Sequence, residues 1–226
     1  MMKKIVFLSL FLMTMLASAQ TTITKKLGEF TTIKVFNGIN LELVKSTENK
    51  IIITGQKAEK VTVKNKNNTL KVALKFPETT ADGKVRITVY YESILQVIDA
   101  NEGATVTGKG ITQPQVEIKA QEGAFINMVV NVKHLKVKST SGAVIKLSGV
   151  TKNQTVEANL GGMYHGYKLM VSDLNYVRAG SGSKVEVQSG ETLDAKVSFG
   201  GSIFYKGTPE VFKDKKVIGG VIEQRS

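Results

Sequence analysis

Asn101-Glu102-Gly103-Ala104-Thr105 is followed by Gln121-Glu122-Gly123-Ala124-Phe125 and then by Thr140-Ser141-Gly142-Ala143-Val144. Looser copies stand at Leu160-Gly161-Gly162-Met163-Tyr164, Gly180-Ser181-Gly182-Ser183-Lys184 and Phe199-Gly200-Gly201-Ser202-Ile203. Aligned on Gly103, Gly123, Gly142, Gly162, Gly182 and Gly201, the steps are 20, 19, 20, 20 and 19 residues. A period this regular specifies a stack of similar units in which each unit buries its apolar face against its neighbours. Each unit reads as a strand, a small-residue corner, a second strand and a variable turn, as in Leu95–Ala100 before the first corner and Ala104–Gly108 after it. A path of about 20 residues is too short for a strand–helix–strand unit, which needs about 30. The chain is therefore an all-β solenoid of parallel strands with rungs of about 20 residues. Glycine at the corner has two physical readings. It either supplies a left-handed bend at no steric cost or lets backbones pack closely where a side chain would intrude.

Working outward, side-chain alternation along a strand places positions three and five after each glycine inside. These are Val106, Ile126, Ile145, His165, Val185 and Phe204, then Gly108, Met128, Leu147, Tyr167, Val187 and Lys206. Before the repeat, strands are expected at 31–35, 40–44, 50–54, 60–64, 69–75 and 84–90, each short, β-branched and bounded by Gly, Asn or Lys. They do not keep the 20-residue period, so the N-terminal half forms a less regular part or a cap. No helical stripe of a dozen residues is present beyond the N-terminus. The expected organisation is a lead over residues 20–27, a solenoid over 28–212, and a tail or cap over 213–226 that covers the last rung.

The first nineteen residues form an export signal. Lys3 and Lys4 precede the apolar run Ile5–Leu16, and Ala17-Ser18-Ala19 supplies the small residues of a cleavage site. The protein is thus expected in the periplasm, at the outer membrane or at the cell surface, with no membrane span in the mature chain. Without cysteine, stability has to come from stacked side chains and a continuous hydrogen-bond ladder. Removing Lys3 and Lys4 from the 31 basic residues leaves 29 against 19 acids, a net +10. Only Arg86, Arg178 and Arg225 are arginine. Nucleic-acid readout favours arginine forks, so nucleic acid is not an expected partner. An anionic glycan, lipid headgroups or another envelope polymer suits dispersed lysines, as does a merely solvated surface.

Catalytic, metal and cofactor residues are not found. His134 and His165 are 31 residues apart and have no metal-ligand spacing. Glu102 and Glu122 repeat before the corner glycine, while Asp99/Lys119, Glu117/Lys136 and Lys184/Glu186 alternate in sign as a solvated face does. No serine elbow, phosphate loop or calcium loop is present. Tyr164, Tyr167, Tyr176 and Tyr205 concentrate late in the repeat, with Phe199 and Phe204. They are the candidate binding surface, for sugar or protein; the alternative is that they fill the end of the core.

The opening Gly28–Gly55, with Gly38-Ile39-Asn40, the EGA and SGA corners, and the ending Leu193–Pro209 resemble the auto-transporter adhesin head GIN domain family. The resemblance spans 28–209. It implies a right-handed, single-stranded parallel β-solenoid that is exported and adhesive, and it brings no catalytic residues. The leading expectation is a non-enzymatic envelope or surface protein that serves structurally or binds a glycan or envelope protein. A carbohydrate-active β-helix enzyme and a periplasmic sensing module are the alternatives. Three acids, or an acid, a base and an aromatic ring converging in one groove, would favour the enzyme.

Overall fold

The computed structural model describes residues 21–226; the expected export signal lies outside the described residues. The corner that sets the architecture is a two-residue left-handed turn. In Asn101–Ala104, Glu102 and Gly103 have φ of 51° and 69°, and the Ala104 N–H donates to the Asn101 carbonyl at 3.0 Å. Positive φ at both central residues with this bond is a type I′ turn, which favours glycine at the second. The same pair recurs at Glu122-Gly123, Ser141-Gly142, Leu160-Gly161, Ser181-Gly182, Phe199-Gly200 and Ile218-Gly219. From Glu102-Gly103 to Phe199-Gly200 each corner is also tied to the next: the Gly103 N–H donates to the Glu122 carbonyl at 2.9 Å, and the Gly123 N–H to that of Ser141 at 3.1 Å.

Two glycines of the expected ladder are displaced. The left-handed residues are Gly161 and Gly200; Gly162 and Gly201 come one position later. A Cβ on Gly162 would lie 2.2 Å from the Ser139 carbonyl oxygen, and one on Gly201 would lie 2.4 Å from that of Ala179. Both readings of the glycines are therefore realised, at different places: the bend at Gly103, Gly123, Gly142, Gly161, Gly182 and Gly200, and the close approach at Gly162 and Gly201. Ala104, Ala124, Ala143 and Ser183 fill the same tight slot in the other rungs and are buried. Asn37-Gly38 has the same left-handed geometry, so Gly38-Ile39-Asn40 is itself a corner.

Rungs pair in parallel register on both sides of the corner. Before it, Ile98, Ile118, Val137, Val156, Val177 and Ala195 stack inward; after it, Val106, Ile126, Ile145, Tyr164, Val185 and Ile203 do so. All are at most 1% exposed. A third side, built from 111–113, 130–132, 149–151 and 169–171, ends at Val171, and the section narrows to two sheets. The one-residue displacement at Gly161 and Gly200 moves His165 and Phe204, expected inside, to the outer side. Tyr167 and Lys206 are likewise outside, and Gly166 and Tyr205 take their places.

The six early strands occupy Thr32–Val35, Asn40–Lys45, Lys50–Thr54, Val61–Lys66, Thr69–Leu74 and Arg86–Tyr91, within two residues of expectation. Their order in space differs from their order in sequence. Thr32–Val35 is sandwiched between Thr69–Leu74 and Val97–Ala100, and Asn40–Lys45 between Arg86–Tyr91 and Thr105–Gly108. The chain lays its second coil behind the first and then crosses over it. Antiparallel strands Val61–Lys66, Lys50–Thr54 and Thr22–Lys26 complete this end, carrying lysines on the outer edges as edge strands commonly do. At the other end, residues 213–226 are no loose tail: Val211–Val217 and Val221–Gln224 form another rung in register with Thr192–Ser198 and Ser202–Lys206. Asp214 and Lys216 there align with the inward Ala195 and Val197. A charge at those positions opposes stacking of a further rung.

Candidate ligand groove

On the sheet that follows the corner, Asn127, Lys146, His165 and Glu186 form one outward column on successive rungs. Lys146 pairs with His165 but Ser148 pairs with Lys168, so Leu147 faces both Gly166 and Tyr167. This bulge breaks the inside–outside alternation and turns Tyr167 and Lys168 outward together. Bulges re-aim side chains in this way beside functional sites. The result is a groove of about 470 Å³ lined by Lys146, His165, Tyr167, Lys168 and Glu186 among others.

Glu186 is its electrostatic centre. His165 Nδ1 lies 2.6 Å from Glu186 Oε2 and Lys184 Nζ 2.6 Å from Oε1. Burial alone would raise the Glu186 carboxyl, but the hydrogen bonds from Lys184 and His165 outweigh it and hold the group below the ordinary 4.5. For Tyr167, burial is the main cause that raises its phenol, with the Glu186 charge adding to it; Lys206 Nζ sits 5.2 Å from its ring centroid. A carboxyl lowered in the folded state stabilises fully above its unfolded value and progressively less as pH falls through its folded value. The urea midpoint is therefore expected to drop between pH 5 and pH 3 by more in the wild type than in Glu186→Gln, and equal drops would contradict the ion-pair geometry.

The four expected tyrosines do not form one patch. Tyr164 is fully buried, and Tyr205 is 9% exposed with its ring 5.2 Å from that of Phe212; both belong to the core. Tyr176 is exposed on the sheet before the corner, its ring 3.5 Å from the Arg178 guanidinium. Only Tyr167 lies in the groove. The groove's acid–base pair is hidden as long as its rung is counted from Gly162. Its signal was present: counted from Gly161 and Gly182, His165 and Glu186 hold the same position on adjacent rungs.

Of the remaining charged residues, Glu117 and Lys136 alternate on a solvated face as expected, whereas Asp99, expected on that face, is buried at 3% exposure. Asp99 is buried between Lys34 and Lys119 at 3.7 and 3.8 Å, and Glu117 meets Lys136 at 3.5 Å. Glu102, at its corner, accepts from Asn37 Nδ2 at 2.6 Å. His134 lies elsewhere, 3.3 Å from Asn153 Nδ2. Among the described residues, no three His, Asp or Glu side chains are grouped to hold a metal, and no helix is long and apolar enough to cross a membrane.

A family model described as "Putative auto-transporter adhesin, head GIN domain" matches residues 29–209. The chain belongs to the head GIN domain family. Solved structures repeat its architecture. A Bacteroides fragilis protein described as a putative adhesin is 23% identical, with a TM-score of 0.80 over 92% of this head GIN chain and 98% of its own. A Parabacteroides merdae putative adhesin is 16% identical, with a TM-score of 0.66 over 92% and 96%. A Parabacteroides distasonis protein described as a putative lipid binding protein is 15% identical, with a TM-score of 0.68 over 92% and 97%. At these identities the likeness is one of fold. No curated protein matches the chain. The family's description as an adhesin head is consistent with a surface binding module, and its naming tripeptide is the first left-handed corner.

Proposed function

We propose that this head GIN domain is an exported, non-enzymatic, adhesin-like module that binds an envelope or surface glycan in the groove around Tyr167. The observation that carries the reading is the bulge. It places an aromatic ring and Lys168 side by side, next to the Glu186 carboxylate and the His165 imidazole. A half-exposed ring offers an apolar face to a sugar ring, and the flanking charged groups offer hydrogen bonds to its hydroxyls. The family's description as an adhesin head supports the same class of function.

The enzymatic alternative has in its favour the convergent acid, base and aromatic ring that would mark it, and against it that Glu186 is the one carboxylate among the groove's lining residues, where sugar cleavage ordinarily uses two. Glu186, His165 and Tyr167 are an acid, a base and an aromatic ring in one groove, and a carboxylate on Nδ1 orients an imidazole for proton transfer at Nε2. A glycan array with the mature chain, run beside a polysaccharide cleavage assay, separates the readings. Binding is expected to fall at least tenfold in Tyr167→Ala, with no cleavage. Depolymerisation that disappears in His165→Ala would establish the enzyme instead, and absence of glycan binding would overturn both.

A further inference from the structure

The left-handed corner position changes character along the stack. From the N-terminal end it is occupied by Asn37, Glu102, Glu122 and Ser141, then by Leu160, Ser181, Phe199 and Ile218. Left-handed φ is tolerated by asparagine, disfavoured by most side chains and worst for β-branched ones. Leu160, Phe199 and Ile218 have φ of 49°, 49° and 53°. They are also 59%, 60% and 70% exposed. Each thus combines an unfavourable backbone conformation with an apolar side chain in water, and the combination recurs in one column. Single exposed apolar residues call for no explanation, whereas strained residues that repeat on one edge mark a functional constraint. Three rung steps separate Leu160 from Ile218, about 14 Å at sheet spacing. Val221, 42% exposed, extends the ridge just past the last corner.

Cations flank this ridge. On the sheet that enters the corner, Arg178, Lys196 and Lys215 are register neighbours on three successive rungs. Lys216 is two residues before Ile218, on the terminal rung. Arg178 is held by Asp194 at 2.8 Å, while Lys196, Lys215 and Lys216 have no carboxylate within ion-pair distance among the described residues. Of the other acids at this end, Glu157 holds the same column beside Leu160 and is paired with Lys138 at 3.5 Å, and Glu223 is paired with Arg225 at 3.0 Å. Glu191 and Glu210 stand at the far ends of their strands, and Asp214, in the same column as Lys216, lies four residues before Ile218 and so farther from the corner. The edge is polarised, with Glu102 and Glu122 on its early corners and apolar side chains beside unpaired lysines on its late ones.

We infer that the late corner edge, Leu160, Phe199 and Ile218 with Lys196, Lys215 and Lys216, is a docking surface for an anionic lipid bilayer. The apolar tips enter the headgroup–acyl boundary while the ammonium groups meet lipid phosphates, the arrangement by which proteins without a span adhere to a membrane interface. The acidic corners lie at the other end of the same edge, which tilts the C-terminal end of the solenoid toward the surface. This inference is independent of the groove around Tyr167, which lies on the sheet beyond the corner.

The test is vesicle co-sedimentation of the mature chain with phosphatidylglycerol–phosphatidylethanolamine vesicles and with phosphatidylcholine vesicles, at low and high salt. The wild type is expected to bind the anionic vesicles at least tenfold more tightly, with the difference shrinking as salt rises. Leu160→Asn/Phe199→Asn/Ile218→Asn is expected to lose at least tenfold in binding while melting no lower than the wild type, because asparagine suits left-handed φ. A melting curve therefore separates lost docking from lost fold. Lys196→Gln/Lys215→Gln/Lys216→Gln is expected to remove the preference for anionic vesicles. Equal binding to both vesicle types, or undiminished binding by the asparagine variant, would overturn the inference. So would a wild-type dimer without vesicle binding that the asparagine variant abolishes, since the ridge would then join two copies of the chain.

Discussion

Gly149→Ala is expected to destabilise the fold by about 3 kcal/mol or more, within the range of severe single substitutions. Gly149 has φ of 111°, outside the left-handed region that other residues enter. A Cβ there would lie 2.0 Å from the Val130 carbonyl oxygen. Val130 is its register partner on the preceding rung, so relief requires both coils to move. Gly123→Ala is the instructive contrast. Its φ is 71° and a Cβ would meet nothing within 4 Å, because the corner is convex toward solvent. Left-handed strain alone then costs about 1–2 kcal/mol. Urea denaturation of the two variants with unchanged m-values is the measurement. A smaller loss at Gly149 than at Gly123 would contradict the geometry. The repeat makes Gly123 look like the more vulnerable glycine, because period reveals recurrence and not proximity. Gly149 recurs in no other rung, yet of these two glycines it is Gly149 that is pressed against backbone.

The repeat from 103 to 201 carried most of the architecture, because a coil that returns to the same turn must return to similar residues. What it hid has two physical causes. The first is the doubled glycine. At Gly161-Gly162 and Gly200-Gly201 either residue completes a near-even period, but only one bends. With a side-chain period of two, a one-residue choice inverts the strand that follows. That inversion put His165 inside, dissolved its pairing with Glu186, and left Tyr164 as a surface candidate. The tight slot after the bend resolves the choice: it holds Ala104, Ala124, Ala143 and Ser183 in the clear rungs, so a methionine such as Met163 does not belong there. The second cause is non-sequential stacking. Gly38 and Gly103 sit on adjacent rungs, the Gly38 N–H donating to the Glu102 carbonyl at 2.8 Å, but the cap-building strands separate them in the chain. No fixed period links the two. The bulge at Tyr167 had no sequence signal either, since it follows from how two rungs of unequal length are matched.

Tyr164 and Gly166 are expected to be energetically coupled. Both point inward on one strand, and a Cβ on Gly166 would lie 2.6 Å from Tyr164 Cε1 and 2.7 Å from its hydroxyl oxygen. Gly166→Ala alone overpacks a filled site and is expected to cost about 2 kcal/mol. Tyr164→Val alone removes a fully buried ring and is expected to cost about 3 kcal/mol, the lower end for loss of a buried aromatic. In Tyr164→Val/Gly166→Ala the new methyl group occupies space the ring has left. The pair then approaches Val185 and Val187, which fill the same two positions on the next rung. The double variant is expected to lose about 2 kcal/mol, well short of the sum, a coupling at the upper end of that seen between touching residues. A further relief acts in the same direction. Among the described residues the Tyr164 hydroxyl is buried beside Gln154 without a hydrogen bond of ordinary geometry, and valine removes this poorly satisfied group. A double-mutant cycle by urea denaturation measures the coupling. Additive losses would mean that the Tyr164 ring does not occupy the space above Gly166, and would return it to the surface where the aromatic run of the sequence first placed it.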